Sequence, residues 1–186
     1  MTDAVVVLDR SLHMPMRDLY YEARRCASVV ASHISSKSSH RLCGIVGFAE
    51  LASEISIDEM PGVDFAMTYG TNLMAAVALG QELLDHRPGR LITFSSFRPS
   101  AHTSESGEPF FSFPPSAITV EATIKQIHMA EDEGIVVDAF WLDEMSRPDH
   151  SRAVLAAIRD AGGEVIPIAE GACDASVSAY LQGQWS

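Results

Sequence analysis

Val5-Val6-Val7-Leu8-Asp9-Arg10-Ser11-Leu12-His13-Met14 joins four large aliphatic residues directly to an acid, a hydroxyl and an imidazole. The aliphatic run lacks the alternation of a strand with one wet face. It therefore predicts a strand covered on both sides, as in a parallel sheet between two helical layers. The polar cluster then falls at the carboxyl end of a central strand, the edge where open α/β sheets bind ligands. Asp9 and Ser11 are two residues apart, so an extended backbone turns both side chains the same way and lets them share one ligand. The competing role is local: Asp and Ser at a strand end also turn the chain or cap the next helix.

Downstream, Met16, Leu19, Tyr20, Ala23, Ala27, Val30 and Ile34 recur at steps of three and four. This spacing predicts an amphipathic helix over 16–35. Leu42 to Phe48 reads as a second strand. Residues 49–57 give a third, antiparallel to it because the connection is too short for a helical crossover. A second helix follows Gly70-Thr71-Asn72, with Thr71 placed as its N-cap. Leu91-Ile92-Thr93-Phe94 is a fourth strand that opens at Ser95-Ser96 into a long loop reaching Pro115, a length usually functional or disordered. Ser116 caps a third helix that Gly134 stops. Ile135 to Leu142 is a fifth strand, and Pro148 suits the first turn of the helix after it. A sixth strand, Val165 to Ile168, belongs at an edge because Pro167 cannot donate to a ladder. Val177, Tyr180 and Leu181 mark a last short helix. The alternation predicts an α/β fold: one doubly wound, Rossmann-like sheet of six mostly parallel strands, one antiparallel, with helices on both faces.

The chain has 186 residues, 47% of them hydrophobic, which suits a single domain over 1–186. A net charge of -12 repels a phosphate backbone and argues against a nucleic-acid partner. No apolar stretch approaches the roughly 18 to 20 residues of a membrane span, and Met1-Thr2-Asp3 offers no basic leader, so neither membrane insertion nor export is expected. Cys26, Cys43 and Cys173 lie far apart, without C-x-x-C spacing. Their odd number predicts buried reduced thiols and a cytoplasmic setting.

Asp9-x-Ser11-x-His13-Met14 resembles the Asp-x-Ser-x-Ser-Met signature of von Willebrand factor A (VWA) domains, whose metal-ion-dependent adhesion site holds a divalent cation. The resemblance extends through Met16-Arg17-Asp18-Leu19, Ile45-Val46-Gly47-Phe48, Tyr69-Gly70-Thr71-Asn72, Ile92-Thr93, Pro99-Ser100-Ala101-His102 and Phe111-Ser112-Phe113-Pro114-Pro115-Ser116. It is closest in kind to bacterial stand-alone domains associated with chelatase-type ATPases. It implies that Asp9, Ser11 and Thr71 hold the places of metal ligands. The chain departs from the pattern at the site itself. His13 stands where the family has a second serine, and Phe94 stands where it has a second acid, with Ser95 and Ser96 following. The metal site is therefore expected to be degenerate, with no cofactor and weak or absent Mg²⁺ binding. His13 shifts the donor set toward softer metals, although one imidazole and one carboxylate make a poor closed site for any of them.

The resemblance implies a non-catalytic protein-protein interaction module whose partner is a protein, an AAA+ ATPase among the candidates. Phe110, Phe111 and Phe113 in the long loop are expected to anchor that loop or to meet the partner. The alternative is a hydrolase-type enzyme that assembles Ser11, Ser95 or Ser96 with His13 or His102 and Asp9. No G-x-S-x-G elbow accompanies those serines. His102 reads more simply as a loop hydrogen-bonder.

Overall fold

The predicted double-sided strand is β1 (Thr2–Asp9), whose residues from Ala4 onward are buried. The computed structural model of the protein describes residues 2–142, 149–169 and 171–185. After β1 come a single turn, α1 (His13–Met16), and the long helix α2 (Tyr20–Ser36). The hairpin of β2 (His40–Phe48) and β3 (Ala52–Ile55) precedes α3 (Leu73–Leu83) and β4 (Gly89–Ser95). Two short strands, β5 (Ala101–Thr103) and β6 (Pro109–Phe111), lead to α4 (Ala117–Asp132) and β7 (Ile135–Trp141). The chain continues through α5 (Asp149–Asp160), β8 (Val165–Pro167) and α6 (Cys173–Gln184).

The main sheet has the order β3-β2-β1-β4-β7-β8. Its β2–β3 pair is antiparallel and its other pairs are parallel, as the short β2–β3 connection requires. Pro167 lies on the edge strand β8, where its missing N–H costs no ladder bond. Period-two alternation along β1 builds the two cores. Ala4, Val6 and Leu8 pack with the buried faces of α2 and α6, while Val5 and Val7 pack with those of α3, α4 and α5. Burying a side chain such as Val30 or Ile34 of α2 removes enough apolar surface to contribute roughly 1.5–3 kcal/mol.

Several local expectations are corrected. Asp18 adopts a left-handed backbone (φ 58°), so the predicted 16–35 helix is split and α2 begins at Tyr20. Asn72, not Thr71, caps α3: its side chain accepts from Ala75 N at 3.0 Å, and Thr71 is left for the site. Ser116 caps α4 as predicted, and Gly134 takes the positive φ (75°) that ends that helix at low steric cost. The long loop after β4 carries an antiparallel pair, β5–β6, that the sequence pattern did not reveal. Pro148 lies outside the described residues.

Cys26 and Cys173 form a disulfide across 147 residues, joining α2 to α6, and Cys43 is free. The expectation of three reduced thiols thus holds for Cys43 alone.

Deep in β7, Asp138 is completely buried and bound on every side. Arg90 of β4 donates to it through Nε (2.7 Å) and a terminal nitrogen (2.8 Å). Tyr180 Oη on α6 donates at 2.6 Å, and the backbone N–H of Glu164 donates at 2.9 Å. This network ties three strands' worth of chain to the terminal helix at the far side of the sheet from β3.

Candidate functional site

From β1 the chain moves to one side to make β2 and later returns on the other side to make β4. The carboxyl ends of β1 and β4 therefore bracket a point where strand order reverses, and such a point leaves a crevice. Asp9 ends β1 at its floor, fully buried. Ser11 donates to Asp9 Oδ1 through both its hydroxyl (2.6 Å) and its backbone N–H (3.0 Å). Ser95, at the end of β4, donates to the other oxygen at 2.6 Å. Thr71 Oγ1 donates to Ser11 Oγ at 3.0 Å, which completes a chain of hydroxyls on one carboxylate. Burial pushes the Asp9 carboxyl above the ordinary carboxylate range, against the lowering effect of these hydrogen bonds and of the His13 imidazole.

The segments holding these groups are themselves pinned. Leu12 N donates to Thr68 O at 2.9 Å, and Thr71 N donates to Ser100 Oγ at 3.0 Å. Ser100 N in turn donates to Thr71 O at 3.2 Å. Gly70 is required by close approach: a Cβ there would stand 2.2 Å from Glu50 Cγ. Asn72 reaches across to Glu50 O (3.0 Å) and Thr103 Oγ1 (3.2 Å), so one side chain links the start of α3 to β5. After β4 the chain turns through Phe97, a buried residue at φ 53° whose N–H donates to Ser95 Oγ at 3.0 Å. A left-handed aromatic residue is strained and persists only where its surroundings hold it, here directly beside the site.

Above this floor lies a cavity of about 230 Å³. His13, Thr71 and Phe113 line it, together with Tyr69, Arg98, Ser100, Pro114, Pro115 and His150. The remaining predicted residues stand apart from it. Phe94 is buried in the core and stacks on Phe140 (ring centroids 4.5 Å apart), so its ring faces a helix layer and not the crevice. Ser96 is buried with its carbonyl accepting from Ser151 of α5 at 3.5 Å. His102 contacts Thr119 Oγ1 at 2.9 Å and packs against Phe110. Phe110 and Phe111 sit on β6, 48% and 42% exposed, whereas Phe113 is 85% exposed at the crevice rim. Arg98 and His150 were not singled out from the sequence. The first follows a strand end and the second opens a helix, and only the fold brings them together.

The sequence pattern of the family described as Rv0959-like protein, vWA domain, matches residues 3–181. The chain belongs to this vWA family. The Rv0959 protein of Mycobacterium tuberculosis (strain ATCC 25618 / H37Rv) is 27% identical over 191 aligned positions, which cover 97% of this chain and 28% of that protein. The Mb0984 protein of Mycobacterium bovis matches to the same extent. The chain thus spans little more than a quarter of the length of these curated relatives. Among solved structures, the SpRpn10 VWA domain aligns with a TM-score of 0.65 at 12% identity, covering 96% of this chain and 95% of that one. The PilB minor pilin of Streptococcus sanguinis, as a D319A mutant, gives 0.73 at 13% identity, covering 98% and 61%. The pilus adhesin SpaC of Lactobacillus rhamnosus GG gives 0.68 at 16% identity, covering 98% and 29%. At these identities the likeness is one of vWA fold.

Proposed function

We propose that this vWA domain is a non-catalytic protein-interaction module that meets its partner through the crevice and the loop carrying Phe113. The observation that carries the reading is the composition of the crevice. A buried carboxylate whose two oxygens already accept from hydroxyls lies under a rim of aromatic surface left in solvent, with Phe113 85% and Tyr69 57% exposed. Exposed aromatic side chains around a cavity are the anchors from which protein interfaces draw most of their affinity. A pilus adhesin and a minor pilin are among the proteins sharing the fold, which supports a contact role. An AAA+ ATPase is the partner class that the family resemblance implies.

The donor set does not suit a hard divalent cation. Among the described residues Asp9 is the one acid on the crevice floor, Phe94 lies in the core, and His13 offers nitrogen in place of oxygen. Affinity for Mg²⁺ rests on oxygen ligands and on carboxylates that offset its charge. Among the described residues no group of three or more His, Cys, Asp or Glu side chains is gathered to hold a metal. The domain accordingly works without Mg²⁺ or another cofactor. The hydrolase assembly loses one of its candidate bases, because His102 is turned to Thr119. The cytoplasmic expectation leaned on reduced thiols, and the Cys26–Cys173 bond removes that support. No described helix is long and apolar enough to cross a membrane.

Affinity capture from native lysate followed by mass spectrometry tests the module. A partner is expected with the wild-type chain and lost with Phe113→Ala, and recovery of no partner contradicts the reading. Covalent labelling of Ser11, Ser95 or Ser96 by a fluorophosphonate would instead favour the hydrolase reading.

A further inference from the structure

We infer that the outer edge of β3 is a docking strand, and that it takes an extended basic segment of a protein partner. This surface is separate from the crevice, with which its groove shares no lining residue. Phe48 O accepts from Arg10 N at 2.7 Å, so Phe48 turns its backbone toward β1. Successive residues of a strand turn their backbone groups to alternate sides, so Gly47 and Ile45 face β3 instead. Their partners in the register are Ser53 and Ile55. The N–H and C=O groups of Ala52 and Glu54 therefore point away from the sheet, and among the described residues nothing bonds to them. The chain closes this alternation at Ser56, whose N–H donates to Glu59 Oε2 at 3.2 Å and whose carbonyl accepts from Glu59 N and Met60 N.

The opposite edge of the sheet is guarded. Ala139 N donates to Glu164 O and Ile168 N donates to Trp141 O, so Glu164 and Ile168 face β7 while Pro167 faces outward with no N–H to offer. β3 contains no proline. Its open donors and acceptors are what an added strand pairs with, and such pairing supplies affinity whatever the sequence of the added segment. Selection comes from the side chains. A strand laid beside β3 sets every second side chain over a groove of about 520 Å³, whose charged lining is Glu54, Asp58, Glu59 and Arg10. The acids outnumber the base, and Arg10 Nε already donates to Asp64 O at 2.8 Å. Lysine or arginine at alternate positions meets this charge, whereas acidic side chains are repelled. The same charge rejects a second copy of this chain: pairing β3 with β3 brings two sets of these acids together on chains that each carry a net charge of -12.

The test titrates the full chain with two capped hexapeptides, one alternating lysine with valine and one alternating glutamate with valine, and follows amide hydrogen exchange by NMR. The Ala52 and Glu54 amides are expected to exchange freely in the chain alone and to slow by about tenfold or more as the lysine peptide saturates. Binding of the glutamate peptide should be about tenfold weaker or more. Ala52→Pro removes one outward N–H while leaving every charge and the β2–β3 ladder in place, and should weaken the lysine peptide by about tenfold. Saturation without slowed exchange at Ala52 and Glu54, equal response to the two peptides, or undiminished binding in a folded Ala52→Pro overturns the inference. If Ala52→Pro does not fold, a lysine peptide N-methylated at alternate residues makes the same comparison on the wild-type chain: loss of binding supports strand pairing, and retained binding overturns it. Sedimentation over a range of concentrations tests the other occupant. A monomer is expected, and a dimer in which the Ala52 and Glu54 amides become protected would assign the edge to a second copy and overturn the basic segment.

Discussion

Two completely buried aspartates sit on strands of the same sheet, and their surroundings differ in one respect that separates scaffold from site. Asp138 is met by a guanidinium in bidentate geometry, a phenol and a backbone N–H. Asp9 is met by two serine hydroxyls and a backbone N–H. The first carboxylate has its countercharge built in, and its burial is balanced by a bonded cation. The second is held by neutral donors, and burial raises its pKa. A buried acid with a tight ion pair is part of the framework, whereas Asp9, supported by hydroxyls at a strand end, lies at the sheet edge where open α/β folds bind ligands.

The difference is broken most directly at Asp138. Replacing it by Ala leaves Arg90 and Tyr180 without their acceptor, and the expected loss is about 3–5 kcal/mol, read from urea unfolding. Next in size is the tether on the helix that delivers Tyr180. Reduction of Cys26–Cys173 reopens a loop of 147 residues and is expected to cost about 2–4 kcal/mol, seen as a lower Tm in dithiothreitol.

Asp9→Asn should be far milder, within about 1 kcal/mol, because the neutral amide avoids the desolvation penalty. The pH dependence has the opposite sign to that of a salt-bridged acid. The folded-state pKa lies above the unfolded value near 3.9, so the folded state binds the proton more tightly. That contribution is complete below the unfolded pKa and is lost as pH rises through the folded one. Wild-type stability relative to Asp9→Asn should therefore fall across that window, and denaturant midpoints at a series of pH values measure it. The smallest stability effect belongs to Phe113→Ala, below about 0.5 kcal/mol because the ring is mostly in solvent, with the partner lost all the same.

The scaffold was largely legible in the sequence because the central strands are aliphatic runs and the long helices carry a three-four repeat. Apolar runs and connection lengths predicted the six main strands, and the missing N–H of Pro167 predicted its edge position. The β5–β6 pair was missed because three-residue strands containing Pro109 show no period to detect. The disulfide was hidden by an odd cysteine count and a long separation. Asp138 left a signal that went unused: an acid inside Ile135-Val136-Val137-Asp138-Ala139-Phe140 demands a buried partner, and Arg90 stands on the adjacent strand. At the site, Asp9, Ser11, Ser95 and Thr71 are brought together, as their positions at loop ends suggested. Phe94 was misplaced because strand alternation sends its side chain to the helix layer opposite Val5 and Val7, into the core with Leu8. Arg98 and His150 carry no local pattern and meet only through the fold.

The proposal that this crevice works without a cation is open to calorimetric titration with Mg²⁺ and with Mn²⁺. No saturable binding at submillimolar metal is expected, for wild type and Asp9→Ala alike. Submillimolar binding that disappears in Asp9→Ala would contradict cation-independence, because Asp9, Ser11 and Thr71 would then suffice as a metal site.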